Sequence, residues 1–228
     1  MQITFLGQSS FCVDTGAQLL LFDYAPRLKR RAAEPVLLEL LKDRTCTVFV
    51  SHVHEDHFSP EIYRLPNCRY VVAAGVPAEQ DALVVLPERE YTLEGLEIKT
   101  FRSTDEGVAF LVEADGKTVY HAGDLHWWHW EGEPDPWNPD MECAFREQAE
   151  KIARETIDLA FLPTDQRQKA AWLWGMDLLM RQGNIAAAVP MHFWNQASVP
   201  PRILRDPCTA PYREKLHLLC RIGEQTSL

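Results

Sequence analysis

Three histidines and an aspartate follow directly after a short apolar segment, and this arrangement constrains the chain more than any other part of its sequence. Residues 47–50 are β-branched or aromatic, which is typical of a strand inside a sheet. His52 and His54 come next, and alternate residues of an extended backbone point to the same side, so both imidazoles can contact one ion. The turn that must follow directs Asp56 and His57 toward a second position. The stretch therefore predicts a metal site at the end of a buried strand.

The type of metal follows from the type of ligand. Imidazole and carboxylate together suit Zn²⁺, Fe²⁺ or Mn²⁺ better than Ca²⁺ or Mg²⁺. The alternative is a polar surface turn with a chance excess of histidine. Intracellular histidines cluster mainly where they bind metal or transfer protons, so we favour the metal site. The expected cofactor is one or two Zn²⁺ ions, with Mn²⁺ or Fe²⁺ as alternatives.

The order His-x-His-x-Asp-His over residues 52–57 resembles the metal-binding motif of the metallo-β-lactamase-fold hydrolases. The surrounding sequence resembles the branch of that superfamily that includes L-ascorbate-6-phosphate lactonase. The resemblance implies an α/β (α+β) fold, a four-layer αββα sandwich of the metallo-β-lactamase type. The chain of 228 residues has the length of one substantial domain, and we predict a single domain over residues 1–228.

Composition and charge exclude several classes of partner. No apolar run approaches the ~18 residues that span a bilayer, and the first residues lack the features of a signal peptide, so a cytoplasmic protein without a membrane partner is expected. A net charge of −10 opposes sequence-independent binding to nucleic acid. A bound metal would still attract an anion, which favours an anionic small-molecule substrate. The sequence leaves a homo-oligomer open, and its six cysteines fit reduced, mostly buried thiols without metal-ligand spacing.

The coarse pattern is many strands with inserted helices, not the strict alternation of a doubly wound fold. Predicted strands cover residues 3–6, 10–15, 18–22, 47–50, 69–73, 82–86, 96–101, 108–113, 117–120, 159–162 and 186–191. Predicted helices cover residues 35–41, 141–156 and 170–182, and a further short helix begins at Ser59. Each half of the chain has an apolar strand that runs into a histidine, His52 in the first half and His192 in the second. If two sheets face each other, both strand ends converge on one cleft.

Gly123 and Asp124 form a second motif after the predicted strand 117–120. Glycine lets the backbone approach closely, and the carboxylate can lie between two ions. A Gly-Asp pair after a strand is also a common turn, so the motif alone is a weak signal. The family resemblance implies that Asp124 bridges the metals and that His192 is the last metal-binding histidine. The predicted metal ligands are His52, His54, Asp56, His57, Asp124 and His192.

The first ion lacks one expected ligand. Members of the resembling family commonly supply a third histidine from the loop before the middle hairpin, and this chain has Ser103 or Thr104 there. Hydroxyl groups are poor zinc ligands, so the departure can leave that ion weakly held or absent. Asp105 from the same loop and His126 from the next loop are the two candidate replacements, and the sequence does not decide between them.

Several neighbouring residues have a structural and a functional interpretation. Asp23 ends a strand and is expected to hydrogen-bond the metal loop rather than bind metal. His121 is expected to point away from Asp124 and to pack or donate to backbone. The tryptophan-rich loop 125–137 is either an aromatic lid over the site or a cap on the outside of the core.

Two basic features are candidate anion contacts. Asp165 can cap a helix, and Arg167 beside it either contacts an anionic substrate or is solvated; the loop that carries them resembles a substrate-contacting element of the lactonase branch. The basic run 27–31 is most simply a solvated loop, with phosphate binding as the alternative.

The leading hypothesis is a metal-dependent hydrolase that uses a metal-activated hydroxide. A bound ion lowers the pKa of its water toward ~7 and polarises the ester, lactone or phosphoester bond of a small, phosphorylated or unphosphorylated substrate. Asp56 would orient the water and accept its proton, and His126 would protonate the leaving group. The alternative is a non-catalytic or single-metal protein that binds or senses a ligand on the same scaffold. Iron redox chemistry and ribonuclease activity are less favoured, because the sequence shows neither a flavin or cysteine cluster nor a nucleic-acid module.

Overall fold

Thirteen described strands form two sheets. The structure is a computed structural model that describes residues 1–26, 32–79 and 81–228, so the basic run 27–31 lies outside the described residues. The strands of the first sheet are β1 (Gln2–Gly7), β2 (Ser10–Asp14), β3 (Leu19–Phe22), β4 (Cys46–Val50), β5 (Cys68–Ala73), β6 (Leu83–Val85) and β13 (Gln225–Ser227). Those of the second are β7 (Glu90–Leu93), β8 (Leu96–Arg102), β9 (Val108–Ala114), β10 (Lys117–His121), β11 (Thr156–Pro163) and β12 (Asn184–Met191). Their orders are β13-β1-β2-β3-β4-β5-β6 and β12-β11-β10-β9-β8-β7.

The helices are fewer and lie between strands in sequence. They are α1 (Glu34–Leu41), α2 (Trp137–Ile152), α3 (Trp174–Gln182) and α4 (Val199–Arg205), with short 3-10 helices at Pro60–Arg64, Gln166–Ala171, Pro207–Thr209 and Arg213–Lys215. α1 buries Leu37 and Leu41, whereas α2 buries the face that contains Phe145 and Ile152. The mixed α/β architecture of two sheets and helices confirms the predicted fold class. Among the described residues, no helix has both the length and the apolar character that crossing a membrane requires.

The core lies between the two sheets and is rich in aromatic rings. Phe11 of β2 stacks on Phe161 of β11 with ring centroids 4.3 Å apart, and Phe49 of β4 meets Phe110 of β9 edge to face at 5.3 Å. Each pair joins one sheet to the other. Such rings bury a large apolar area and prefer these offset and edge-on arrangements, so they fix how the sheets face each other.

Strand direction brings the chemically important loops to one edge of both sheets. β3, β4, β5 and β6 are mutually parallel, as are β10, β11 and β12. The carboxyl ends of neighbouring parallel strands lie at the same edge of a sheet, where α/β proteins commonly bind ligands. The loops after β3, β4, β10, β11 and β12 carry Asp23, residues 52–57, Asp124, Asp165 and His192 respectively.

Element boundaries differ from prediction at the helices and at the sheet edges. α2 begins at Trp137 rather than 141 and ends at Ile152, because Pro139 is tolerated in a first helical turn and Thr156 instead pairs with Asn184 in the sheet. β7 and β13 were not predicted, since both are edge strands with mostly polar sequences. The expectation of mostly buried thiols was wrong, since of the six free cysteines only Cys12 and Cys46 are buried.

Candidate metal centre

The loop after β4 separates its four polar side chains into two pairs. The amides of His57 and Phe58 both donate to the His54 carbonyl at 2.9 Å, which closes a tight turn directly after the second histidine. His52 and His54 stay on one side of this turn, with His52 Nε2 3.0 Å from His54 Nδ1. Asp56 and His57 instead belong to a second group of ligand-type side chains, although the His57 ring centroid lies only 4.1 Å from that of His52. The loop therefore contributes to two neighbouring groups.

The first group combines the two histidines with two aspartates from the second sheet. Ligand atoms of His52, His54, Asp105 and Asp124 all lie within 4.8 Å of one another. Asp124 Oδ2 is 3.5 Å from His52 Nε2, and Asp105 Oδ2 is 3.6 Å from His54 Nδ1. Of the residues considered for the missing ligand, Asp105 is the one that the structure brings into this group. Ser103 instead accepts a hydrogen bond from the Asp105 amide at 3.1 Å and so shapes the loop.

The second group consists of Asp56, His57 and His192, whose ligand atoms also lie within 4.8 Å of one another. Asp124 adjoins this group as well, because its Oδ1 is 3.1 Å from His57 Nε2 and 3.4 Å from His192 Nε2. One carboxylate oxygen of Asp124 thus faces each group. This is the position that a bridging ligand would occupy.

Two buried atoms at the centre of the site have no hydrogen-bond partner among the described residues. They are His57 Nε2 and Asp124 Oδ1, which lie 3.1 Å apart but do not have the geometry of a hydrogen bond to each other. Leaving a buried donor or acceptor unpaired costs about 1–3 kcal/mol, and more for a charged group. A cation coordinated by both atoms would remove that cost, and imidazole with carboxylate is a suitable ligand set for a transition metal. The residues therefore fit a metal ion.

The histidines of the second group are oriented by buried carboxylates. Asp23 accepts hydrogen bonds from His57 Nδ1 at 2.7 Å and from the amide and hydroxyl of Ser51 at 2.7 and 2.6 Å. Asp165 Oδ2 lies 3.3 Å from His192 Nδ1. A carboxylate at Nδ1 sets the tautomer and leaves the Nε2 lone pair for a metal. The expected role of Asp23 as a hydrogen-bond partner of the metal loop is confirmed.

The charges of the site are strongly coupled. Burial alone would lower the pKa of His192, but Asp124, Asp165 and Asp56 raise it to about 9. Burial would raise the pKa of Asp124, yet the neighbouring His57 and His192 hold it well below its usual range. A group of ionised carboxylates here requires positive charge nearby. A divalent cation would supply that charge in place of protons on the imidazoles.

His126 and His121 lie outside both groups. Burial, together with the charge of His192, lowers the pKa of His126 to about 3, so its imidazole is neutral at pH 7. Its predicted role as a proton donor stays a prediction, and the neutral ring does not favour it. His121 Nε2 donates to the Ser9 carbonyl at 2.8 Å and its ring stacks on Phe22, which confirms its expected structural role.

Backbone strain and close packing concentrate around the site. Gln8, Asp23 and His192 all have positive φ angles, of 53°, 45° and 59°. Such conformations are uncommon for residues with a side chain and are often found where a fold positions functional groups. Gly107 lies so close to the Ser51 carbonyl oxygen that a Cβ atom there would overlap it. Val108 donates to that same oxygen at 3.0 Å, which joins the two sheets beside the ligands.

A cleft of about 290 Å³ opens over the two groups. Trp128, Trp130 and Trp137 from the tryptophan-rich loop line it, together with Trp194 and Arg167. The loop thus faces the site, as the lid interpretation predicts. Trp127 of the same loop does not line the cleft. Its ring centroid instead lies 6.3 Å from that of the buried Phe145, as the cap interpretation predicts. Each interpretation holds for different rings of the same loop.

Two contacts of the site were not anticipated from the sequence. Asp165 was interpreted as a helix cap, and it does accept from the Arg167 amide at 2.9 Å, but its contact with His192 was missed. Gln8 Nε2 donates to Asp56 Oδ2 at 3.4 Å. Both residues lie in loops between strands at the same sheet edge, and that position was the available signal.

Comparisons with known proteins show the family to which the chain belongs. A family model described as "Beta-lactamase superfamily domain" matches residues 2–133. A UPF0173 metal-dependent hydrolase of Opitutus terrae is 27% identical over 234 residues, which cover 91% of this chain and 89% of the relative.

Solved structures share the fold. Igni18, a metallo hydrolase of Ignicoccus hospitalis, aligns with a TM-score of 0.67 at 18% identity over 99% of this chain and 97% of its own. YhfI of Bacillus subtilis, a metallo-beta-lactamase fold protein, aligns with a TM-score of 0.64 at 12% identity over 99% of both chains. Because the family model spans more than half of the 228 residues, the chain belongs to the beta-lactamase superfamily.

Proposed function

We propose that this protein is a metal-dependent hydrolase with two adjoining metal positions. His52, His54 and Asp105 would hold the first ion, and Asp56, His57 and His192 the second. Asp124 would contact both ions, because its two oxygens face the two groups. The proposed metal is Zn²⁺, with Mn²⁺ or Fe²⁺ as alternatives, because the two imidazoles and the carboxylates at each position are compatible with all three ions.

The metal and the protein would make different contributions to the reaction. When bound, the metal lowers the pKa of a coordinated water and polarises the bond to be cleaved. Asp56 is the proposed general base, because its carboxylate lines the cleft beside the proposed metal positions. Burial would raise its pKa, but the neighbouring His192 and His57 hold it below the usual range, so the side chain is ionised. Gln8 donates to the Oδ2 atom of Asp56 and helps to fix its orientation toward the cleft. Asp23 and Asp165 hold the His57 and His192 rings with Nε2 toward the cleft.

One observation carries the proposal above the others. Seven ligand-type side chains from loops far apart in sequence meet at one sheet edge, where buried His57 Nε2 and Asp124 Oδ1 have no hydrogen-bond partner among the described residues. Buried polar atoms that serve only stability normally have a hydrogen-bond partner, and these two atoms have none although they face each other at 3.1 Å. The same groups lie beneath a cleft that a small molecule can enter.

The proposed substrate is a small molecule with an ester, lactone or phosphoester bond. A cleft of about 290 Å³ suits a small ligand rather than a polymer. The resemblance to the branch that includes L-ascorbate-6-phosphate lactonase supports testing phosphorylated sugar lactones first. The Opitutus terrae relative, called a metal-dependent hydrolase, supports the reaction type but names no substrate.

Metal analysis combined with an activity panel tests this proposal. Protein purified without added ions is analysed for bound metal, and esters, lactones and phosphodiesters are assayed with wild type and Asp56→Asn. We expect bound metal in the wild type and a loss of turnover of about 10²- to 10⁴-fold in the variant. Asp140→Asn, an exposed aspartate in the first turn of α2, is the matched control and should behave as wild type. Bound metal without turnover of any compound would instead support the non-catalytic ligand-binding protein.

A further inference from the structure

The mouth of the cleft is walled by tryptophans from two separate parts of the chain. Trp128, Trp130 and Trp137 come from the segment after β10, and Trp194 comes from the loop after β12. Aromatic side chains of this size bury a large apolar area when they contact a ligand. A hydrolase that only bound its metal and a small polar substrate would not require such a wall.

Two of these rings, those of Trp128 and Trp130, are held in place by specific contacts. Trp128 Nε1 donates to the Asp124 carbonyl at 3.0 Å. The Trp130 ring stacks on the Trp128 ring with an interplanar angle of 7°. The Asn138 side chain bonds both the amide and the carbonyl of Trp130, at 3.0 and 2.9 Å. A preorganised surface loses little entropy when a flat ligand stacks against it.

Arg167 lies between the two aromatic walls. Its guanidinium carbon is 4.5 Å from the centroid of the Trp194 ring and 5.6 Å from that of Trp130. Nε and Nη2 donate hydrogen bonds to Asp165, whereas Nη1 makes no hydrogen bond to the described residues. The side chain is 52% exposed, so Nη1 is accessible to a ligand.

Arg167 is also the sole lysine or arginine among the described residues that line the cleft. The other charged lining groups, such as Asp56 and His192, belong to the proposed metal centre. A second cation in the cleft would be repelled by the guanidinium, which already occupies the face of Trp194. The wall therefore does not suit a cationic ligand, whereas an arginine with an accessible N–H suits a carboxylate or phosphate.

We propose that the substrate carries a flat apolar ring, which packs against Trp130 and Trp137, and an anionic group, which binds Arg167. This specificity rests on the proposed hydrolase function and deepens it, since it assigns a substrate class to the same cleft. The anionic group is either a carboxylate or a phosphate, because the guanidinium recognises both. Arg167 is then a specificity-determining residue, and the tryptophans supply the apolar contact.

Ligand binding, rather than turnover, tests the inference. Tryptophan fluorescence of metal-loaded wild-type protein is titrated with phenylacetate, phenylacetamide, acetate and phenyl phosphate. We expect phenylacetate to bind about tenfold more tightly than phenylacetamide, which lacks the charge, and about tenfold more tightly than acetate, which lacks the ring. Phenyl phosphate compared with phenylacetate distinguishes the two anions. None of the first three probes contains a bond that the proposed hydrolase cleaves, so a failure of hydrolysis and a failure of this specificity give separate results.

Variants then distinguish the contribution of Arg167 to anion binding from that of the metals, which also attract anions. Arg167→Met should reduce the preference for phenylacetate over phenylacetamide about tenfold, whereas Arg167→Lys, which keeps the charge, should retain most of it. Arg146→Met is the matched control, because Arg146 also lies 4.5 Å over a tryptophan ring, that of Trp127, but outside the cleft. Metal content is measured for every variant. An unchanged preference in Arg167→Met, or an equal loss in Arg167→Lys at full metal content, would overturn the role of the charge.

The ring contact has its own pair of variants. Trp137→Leu should reduce the preference for phenylacetate over acetate, because the phenyl ring of the ligand loses an aromatic side chain against which it packs. Trp174→Leu, at a half-exposed tryptophan that does not line the cleft, should leave that preference unchanged. Equal behaviour of the two variants would show that the tryptophan wall does not select a ring.

Discussion

The two ligand groups of the site differ in burial and in support. In the second group His57 and His192 are buried, and each has a carboxylate at its Nδ1 atom. In the first group the His54 side chain is 43% exposed and Asp105 is similarly exposed at 42%. His52 of that group is buried, but its Nδ1 contacts the Ser51 hydroxyl at 2.9 Å rather than a carboxylate.

This difference predicts two ions of unequal affinity. Carboxylate partners raise the basicity of a ligating histidine and fix its ring, and losing one typically lowers metal affinity about 10- to 100-fold. Exposed ligands also lose side-chain entropy when they bind and compete with water. We therefore expect the second position to retain its ion during purification and the first to exchange readily. The predictions below test this inequality, in order of decreasing expected effect.

The largest effect is expected at the carboxylate shared by both groups. Asp124→Ala removes the atoms that face His52 on one side and His57 with His192 on the other, so each of these imidazoles loses a carboxylate within 3.5 Å. Both ions should be lost, as measured by metal analysis after gel filtration. His54→Ala should abolish binding of the first ion only. If Asp124→Ala retained one tightly bound ion, the shared position of Asp124 would be contradicted.

The next effect is expected at Gly107, which packs against the Ser51 carbonyl oxygen in the loop that contains Asp105. In Gly107→Ala a Cβ atom would overlap the Ser51 carbonyl oxygen, and the residue has a φ of +68°. The free energy of unfolding should fall by about 3 kcal/mol, from left-handed strain and overpacking together. Gly116→Ala is the control with the same φ but open space around its Cβ, and it should lose only about 1–2 kcal/mol. Denaturant unfolding of both variants measures the difference, and equal losses would mean that the Ser51 contact is unimportant.

A smaller and selective effect is expected at Asp23. Asp23→Asn replaces one acceptor oxygen by an amide that must face a donor, either the Ser51 backbone amide at the Oδ1 position or the Ser51 hydroxyl and His57 Nδ1 at the Oδ2 position. The affinity of the second ion should fall about 10- to 100-fold while that of the first changes less. Competition with a chromophoric chelator measures both affinities, and circular dichroism checks that the variant is folded. A greater loss at the first position would reverse the comparison.

The smallest effect is expected at the most exposed ligand. Asp105→Ala should lower the affinity of the first position for its ion about tenfold, equivalent to about 1.4 kcal/mol, and leave the affinity of the second position unchanged. Asp105→His should restore binding and shift the preference of the first position toward Zn²⁺, because it replaces an oxygen ligand by imidazole. Isothermal titration with Zn²⁺ and Mn²⁺ measures both changes. Unaltered affinity in Asp105→Ala would leave the first ion without its proposed third ligand.

Much of the fold and part of the candidate site could be predicted from local sequence. Apolar runs such as residues 47–50 identified the inner strands, because burial on both faces imposes a continuous apolar pattern. Edge strands such as Glu90–Leu93 were missed, since a mostly polar strand lacks that pattern. The prediction of a single domain over residues 1–228 stays a prediction, as do the roles assigned to the ligands.

By itself the sequence determined the short-range features of this protein. The spacing within residues 52–57 predicted two pairs of ligands, because alternate residues of an extended backbone point to the same side and a turn must follow. Only the tertiary structure brought Asp105, and not His126, into the group with His52 and His54, brought Asp165 to His192 and placed Arg167 between two tryptophans. These contacts join residues that are distant in the chain, and they depend on the parallel strand ends and facing sheets that bring separate loops to one edge.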